Sequence, residues 1–261
     1  MRAVTGTMIK VLSIAIFLAF SLQSQAEAPQ VLTAVSPANR VALLELYTSE
    51  GCSSCPPADK FMSRLKLADI SDRQLIPLSF HVTYWDYIGW KDRFGKSRYD
   101  DRQRLQAKLN ESHTVYTPQF IMNGKDFRLH GSFDNAIARI NTIAAEYRLT
   151  MQASPGDGVI DIVLNTAALE DNNDPVHAYI AFYEHGLHSQ VTDGENEGEL
   201  LRHDYVVREL KGPYVIQQYP AEIKASFKQA GYKPGNSGIV AFIQKATGPD
   251  ILQAVRLELG Q

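Results

Sequence analysis

Val41-Ala42-Leu43-Leu44-Glu45-Leu46-Tyr47 runs directly into Thr48-Ser49-Glu50-Gly51-Cys52-Ser53-Ser54-Cys55-Pro56-Pro57, and the reading of the fold starts at that junction. The nearly continuous apolar run is what a central strand buried on both faces requires. Small and polar residues follow as a tight loop. Pro56 and Pro57 suit a first helical turn, where a missing N–H loses no bond. Phe61, Met62, Leu65 and Leu67 then recur at near-helical spacing. The stretch therefore predicts a strand, a loop and a helix, with both cysteines at the start of the helix.

That placement carries chemistry. The unpaired N–H groups of a helix start supply partial positive charge, which stabilises a thiolate. Two intervening residues bring both sulfurs within bonding distance on one turn. Cys52 is expected to be the exposed nucleophile and Cys55 the inward thiol that resolves a mixed disulfide. Gly51 leaves room for the backbone of an incoming chain. Glu50 opposes thiolate formation, and the loop holds no Lys or Arg to offset it. Two other readings of the pair stay open: an inert structural disulfide, and soft-metal binding, chiefly Cu(I). A closed structural zinc site takes four ligands, and two cysteines fall short.

Outward from the junction, Leu75 to Val82 reads as a second buried strand. An aromatic and then charged insert spans about 84–112, with a helix from Ser97 to Leu109. Asn123-Gly124 between two short apolar segments is a hairpin signal. Ser132 opens a helix carrying Phe133, Ile137, Ile140, Ala144 and Tyr147. After Thr150 the pattern changes to short β-rich segments at 159–164, 176–183, 238–244 and 251–259, with one short helix expected around Ala221 to Ala230. Asp193 to Glu199 reads as a solvated acidic turn, and His81 as a hydrogen-bonded residue at a strand end. The expected fold class is α/β: a thioredoxin-like domain over 27–150 with the helical insert, then an antiparallel β-sandwich-like domain over 151–261.

Residues 1–26 have the layout of a secretory signal peptide. Arg2 and Lys10 precede the apolar run Val11 to Phe20, and Ser24-Gln25-Ala26 closes it. The run is shorter than the roughly 20 residues a membrane span needs. The net charge is −3, and loss of Arg2 and Lys10 with the leader makes it more negative by two. No basic patch for nucleic acid is evident, and no membrane anchor is expected once the leader is removed. A chain of this length buries a full core without staples, so its two cysteines are free for function. Gly-rich phosphate loops, serine-hydrolase elbows and HExxH are absent from the sequence.

Residues 41–147 resemble the thioredoxin superfamily. Leu46 to Pro57, Phe80 to Asp92 and Val115 to Gln119 more closely resemble a family of exported bacterial proteins classed as domain of unknown function 1223. The superfamily resemblance implies Cys52 as nucleophile, Cys55 as resolver, a Cys52–Cys55 disulfide, and Pro118 as a cis-proline facing the pair. In that arrangement the backbone of Thr117 meets the substrate strand. This chain departs from the superfamily at Gly51, where a tryptophan is usual, and at Leu46, where a buried aspartate is usual. The resemblance implies an exported, periplasmic or secreted thiol–disulfide oxidoreductase. Its substrates are exported proteins or small thiols, and a redox partner, not identified, recycles it. It needs no cofactor and no metal. The alternatives are a Cu(I) carrier using the same cysteines and a non-catalytic scaffold.

Overall fold

The computed structural model describes residue 3 and residues 30–68, 70–129, 132–156, 158–170, 174–228 and 235–260. The expected signal peptide lies outside them, apart from Ala3. Among the described residues no helix is long and apolar enough to cross a membrane.

In chain order the elements are β1 (Leu32–Val35), β2 (Ala42–Thr48), α1 (Pro56–Leu67), β3 (Leu75–His81), a single 3-10 turn (Asp86–Ile88), α2 (Ser97–Leu109), β4 (Gln119–Met122), β5 (Lys125–Phe127) and α3 (Phe133–Asn141). Among the described residues nine strands follow: β6 (Tyr147–Pro155), β7 (Val159–Ala168), β8 (Val176–Glu184), β9 (Leu187–Gln190), β10 (Leu200–His203), β11 (Val206–Ile216), β12 (Ala221–Lys228), β13 (Ser237–Lys245) and β14 (Ile251–Leu259).

This is a mostly β molecule, which corrects the expected thioredoxin-like α/β fold with a helical insert and a sandwich appended to it. Strands from both halves of the chain share one eight-stranded sheet, ordered β14-β13-β8-β11-β3-β2-β4-β5. The expectation rested on the local strand–helix–strand order of residues 41–147, which is present: β2 and β3 are parallel, and β4-β5 is a hairpin. What it missed is the free edge of β3. An unpaired strand edge presents a row of unsatisfied N–H and C=O groups. Here β11 covers that edge, with Val206 opposite Ser79 and the Ser79 N–H donating to the Tyr205 carbonyl at 2.8 Å. Through β11 the later strands extend the same sheet.

A second, four-stranded sheet, ordered β1-β6-β7-β12, packs over one face of the large one. Side chains on a strand alternate between faces, so a strand buried on both sides reads as a continuous apolar run. Along β8, Tyr179, Ala181 and Tyr183 join the core that contains β2, β3, α1 and α2. Ala178, Ile180 and Phe182 join the core between the two sheets. Each large apolar side chain buried in this way stabilises the fold by about 1.5–3 kcal/mol.

Two helix assignments are also corrected. Residues 221–228 form β12, paired antiparallel with β7 along its whole length. Ile223 and Phe227, four apart, lie on one face of either a helix or a strand, so their spacing does not discriminate. The helix opened by Ser132 ends at Asn141, whose side-chain amide donates to the carbonyls of Arg40 and Gln74. Tyr147 instead opens β6. At the β4-β5 turn, Asn123 and Gly124 take φ of 46° and 87°, and a Cβ on Gly124 would lie 1.7 Å from the Pro249 carbonyl oxygen.

Candidate functional site

The loop from Ser49 to Cys55 is a series of tight turns feeding α1. The Cys52 N–H donates to the Ser49 carbonyl at 3.1 Å and the Cys55 N–H to the Cys52 carbonyl at 3.1 Å. Cys55 is the N-cap, and the N–H groups of Ala58 and Asp59 both donate to its carbonyl. Pro56 and Pro57 occupy the first two helical positions, and Asp59 places negative charge in the first turn. Cys52 and Cys55 are disulfide-bonded.

Ser53 and Ser54 are exposed, so the turn itself reaches the surface. The sulfur-bearing residues do not: Cys52 is 1% exposed and Cys55 0%. The expectation of an exposed Cys52 is therefore corrected. The β9–β10 connection, residues 191–199, is hydrogen-bonded to the backbone of this loop. Asn196 donates from its side-chain amide to the carbonyls of Glu50 (2.8 Å) and Cys52 (3.1 Å). Glu195 accepts from the Ser53 N–H at 3.2 Å. The acidic turn is solvated at its carboxylates, with Asp193, Glu195, Glu197 and Glu199 exposed, while the buried Asn196 anchors it to the cysteine loop.

The room expected at Gly51 for an incoming chain is already taken from within. A Cβ there would meet the Trp85 carbonyl oxygen at 3.2 Å and its Cβ at 3.3 Å. Trp85 also donates from its indole N–H to the Thr117 hydroxyl at 2.6 Å. The 84–112 insert therefore ties the cysteine loop to the Thr117–Pro118 segment. The Thr117–Pro118 peptide is cis. Pro118 and Ser54 line one groove of about 470 Å³, walled by Pro57, Phe61, Phe120 and Phe133. Ser54 thus shares a groove with Pro118, and Gly51 and Thr117 are joined through Trp85.

Close behind the loop lies a second group that the sequence does not announce. Glu50 is fully buried; its carboxylate accepts from the Trp90 indole N–H at 2.8 Å and meets His203 Nε2 at 3.2 Å. His203 Nδ1 faces Asp59 at 3.8 Å, an ion-pair distance rather than a hydrogen bond. His81 lies perpendicular to His203, ring centres 4.8 Å apart, and its Nδ1 meets Asp92 at 2.6 Å. Asp92 also accepts from the N–H groups of Glu50 and Phe94, both at 2.8 Å.

The electrostatics follow from this crowding. Burial pushes the His203 imidazolium down, but Asp59 and Glu50 outweigh it, and the pKa is raised to about 10. Burial pushes Glu50 and Asp92 up, while their contacts with His203 and His81 respectively hold both below the usual carboxylate range. Glu50 is thereby matched locally by His203, which weakens the opposition to a Cys52 thiolate expected of it.

Fold and site together define a mostly β protein with a buried, disulfide-bonded CxxC at a helix start. The chain belongs to the family described as protein of unknown function (DUF1223), whose model matches residues 43–244. No curated protein matches it significantly. Two solved structures share the fold. One is an X-ray crystal structure of a protein from Agrobacterium tumefaciens, 21% identical, covering 87% of this chain and 97% of that one with a TM-score of 0.61. The other is HBP35 of Porphyromonas gingivalis, 15% identical, covering 86% and 76% with a TM-score of 0.63.

Proposed function

We propose that this protein is a thiol–disulfide oxidoreductase working outside the cytoplasm, with Cys52 and Cys55 as its redox pair. The observation that carries the reading is the position of the disulfide: at the N-terminus of α1, one residue from the exposed Ser53 and Ser54, beside a groove that Ser54 shares with Pro118. A purely structural staple has no need of a helix start or of an adjoining apolar groove. The leader-like residues 1–26 favour export, and disulfides persist in oxidising compartments.

In the reduced protein the Cys52 thiolate attacks a substrate disulfide. A mixed disulfide forms, and one substrate sulfur leaves as a thiolate. Cys55 then attacks the Cys52 sulfur, which releases the second substrate thiol and closes the Cys52–Cys55 bond. Two electrons pass to the substrate, and a dithiol partner restores them. Run in reverse, the same steps oxidise a substrate dithiol. Because Cys52 is buried, the loop that carries it, anchored by Asn196, must open before a substrate reaches the sulfur. Exported proteins and small thiols remain the proposed substrates, with Thr117 and Pro118 flanking the bound chain.

Insulin reduction by wild type and by Cys52→Ser tests this reading. Turnover by the wild type that Cys52→Ser lacks is expected. Equal, negligible rates in both would make the disulfide a staple.

A further inference from the structure

We propose that Asp59, His81 and His203 bind one divalent transition-metal ion of the Zn²⁺ type in the core beneath the disulfide. The three residues come from the first turn of α1, the end of β3 and the end of β10. One donor atom from each lies within 4.8 Å of the others. Around Zn²⁺, with bonds of roughly 2.0–2.1 Å, tetrahedral donors sit roughly 3.4 Å apart, so an inward shift of about an ångström closes the site.

The ring nitrogens provide the second, independent observation. His81 Nε2 and His203 Nδ1 have no hydrogen-bond partner among the described residues, although each side chain is only 1% exposed. Buried polar atoms without a partner are rare in native cores, and these two converge on Asp59. Their opposite nitrogens are tied down. His81 Nδ1 meets Asp92 at 2.6 Å, and His203 Nε2 meets Glu50 at 3.2 Å. A metal-ligating histidine characteristically donates its other N–H to a carboxylate, which fixes the tautomer and aims the lone pair. Both histidines here have that partner. The partners are themselves held, Asp92 by two backbone N–H groups and Glu50 by Trp90.

The donor set selects the ion. Two imidazoles and one carboxylate suit zinc or iron(II), whereas magnesium and calcium take oxygen ligands and Cu(I) takes sulfur. Three protein ligands leave a coordination position open. Three carboxylates (Glu50, Asp59 and Asp92) are buried around two imidazoles, and a dication that displaces the His203 proton offsets more of their charge than that proton does. The inference does not rest on disulfide exchange, because no cysteine is a ligand.

The ligands are sealed in, so loading is expected to accompany folding. The full-length protein and its variants are refolded with Zn²⁺, desalted and assayed for zinc per chain, with circular dichroism to confirm folding. Wild type should retain one Zn²⁺, and so should the Cys52→Ser/Cys55→Ser double variant. His81→Gln and His203→Gln should retain less than a tenth as much. Asp92→Asn should bind about ten- to a hundredfold more weakly. Refolding wild type with Co²⁺ instead should give visible d–d bands with no thiolate-to-cobalt charge transfer. A wild type without zinc, full retention by either histidine variant, loss in the cysteine variant, or a thiolate–cobalt band would overturn the inference. If a histidine variant does not fold, the wild-type stoichiometry and the cobalt spectrum still decide.

Discussion

Two sites meet at the first turn of α1, and they are built in opposite ways. The disulfide turn is made of consecutive residues, Gly51 to Cys55, and its middle lies at the surface. The imidazole–carboxylate cluster draws on Glu50, Asp59, His81, Asp92 and His203, all 0–4% exposed, from segments more than a hundred residues apart. A site whose chemistry resides in adjacent atoms is set by local backbone geometry. A site assembled from distant segments depends on the whole sheet, here on β11 docking against β3 and bringing β10 over α1. The first should lose activity on mutation while keeping its fold. The second should lose stability first.

The largest effect expected is on the local site. Cys52→Ser should reduce disulfide exchange to background while circular dichroism stays unchanged. Unfolding of Cys52→Ser on purification would erase the contrast between the regions.

Next comes the distant site. His203→Ala removes the cation between Glu50 and Asp59 and leaves two buried carboxylates unpaired, a loss of about 3–5 kcal/mol, measured by urea denaturation. A change below about 1 kcal/mol would mean that the cluster carries little of the fold. The same region sets a pH dependence. His203 has a raised pKa, so its stabilising contribution is complete below about 6.5, the usual imidazole value, and disappears as pH rises through about 10. Glu50 and Asp92, held low, stabilise above the ordinary carboxylate range, and this is lost as pH falls through it. The groups facing His203 and His81 are Glu50, Asp59 and Asp92. With a chelator present, the urea midpoint should therefore peak on the mildly acidic side of neutrality, and His203→Ala should flatten the alkaline limb.

A smaller effect is expected where residues 195 and 196 hold the cysteine loop. Asn196→Ala deletes two hydrogen bonds to the carbonyls of Glu50 and Cys52, worth about 1–3 kcal/mol together. At about 1.4 kcal/mol per factor of ten, dithiothreitol should reduce Cys52–Cys55 about tenfold faster. An unchanged rate would show that the 191–199 segment does not limit access. The smallest effect belongs to Glu195→Gln, which keeps an acceptor for the Ser53 N–H. It should leave the unfolding midpoint unchanged and speed reduction less than Asn196→Ala does.

The same contrast governs what can be read from the chain. The strand, turn and helix at residues 41–67 were legible because apolar runs, prolines and cysteine spacing are local signals, and so was the Asn123-Gly124 hairpin. The continuity of the large sheet was not: nothing along β11 states that its neighbours are β3 and β8. Ile223 and Phe227 fit a helix or a strand equally well, and only pairing with β7 decided between them. Among the site residues, His81 at a strand end carried a weak signal, and Asp59 did not stand out from the other polar residues of its helix. His203 carried none, because its role arises only when β10 crosses α1. Trp85, which fills the space beside Gly51, was visible as part of an aromatic insert but not as a link to Thr117.

The reduction potential of the Cys52–Cys55 pair tests the redox reading most directly, by equilibration with glutathione buffers and mass spectrometry of trapped thiols. A redox-active pair should titrate reversibly, with a midpoint between about −270 and −120 mV. A midpoint below about −300 mV, the range of inert structural disulfides, would contradict it.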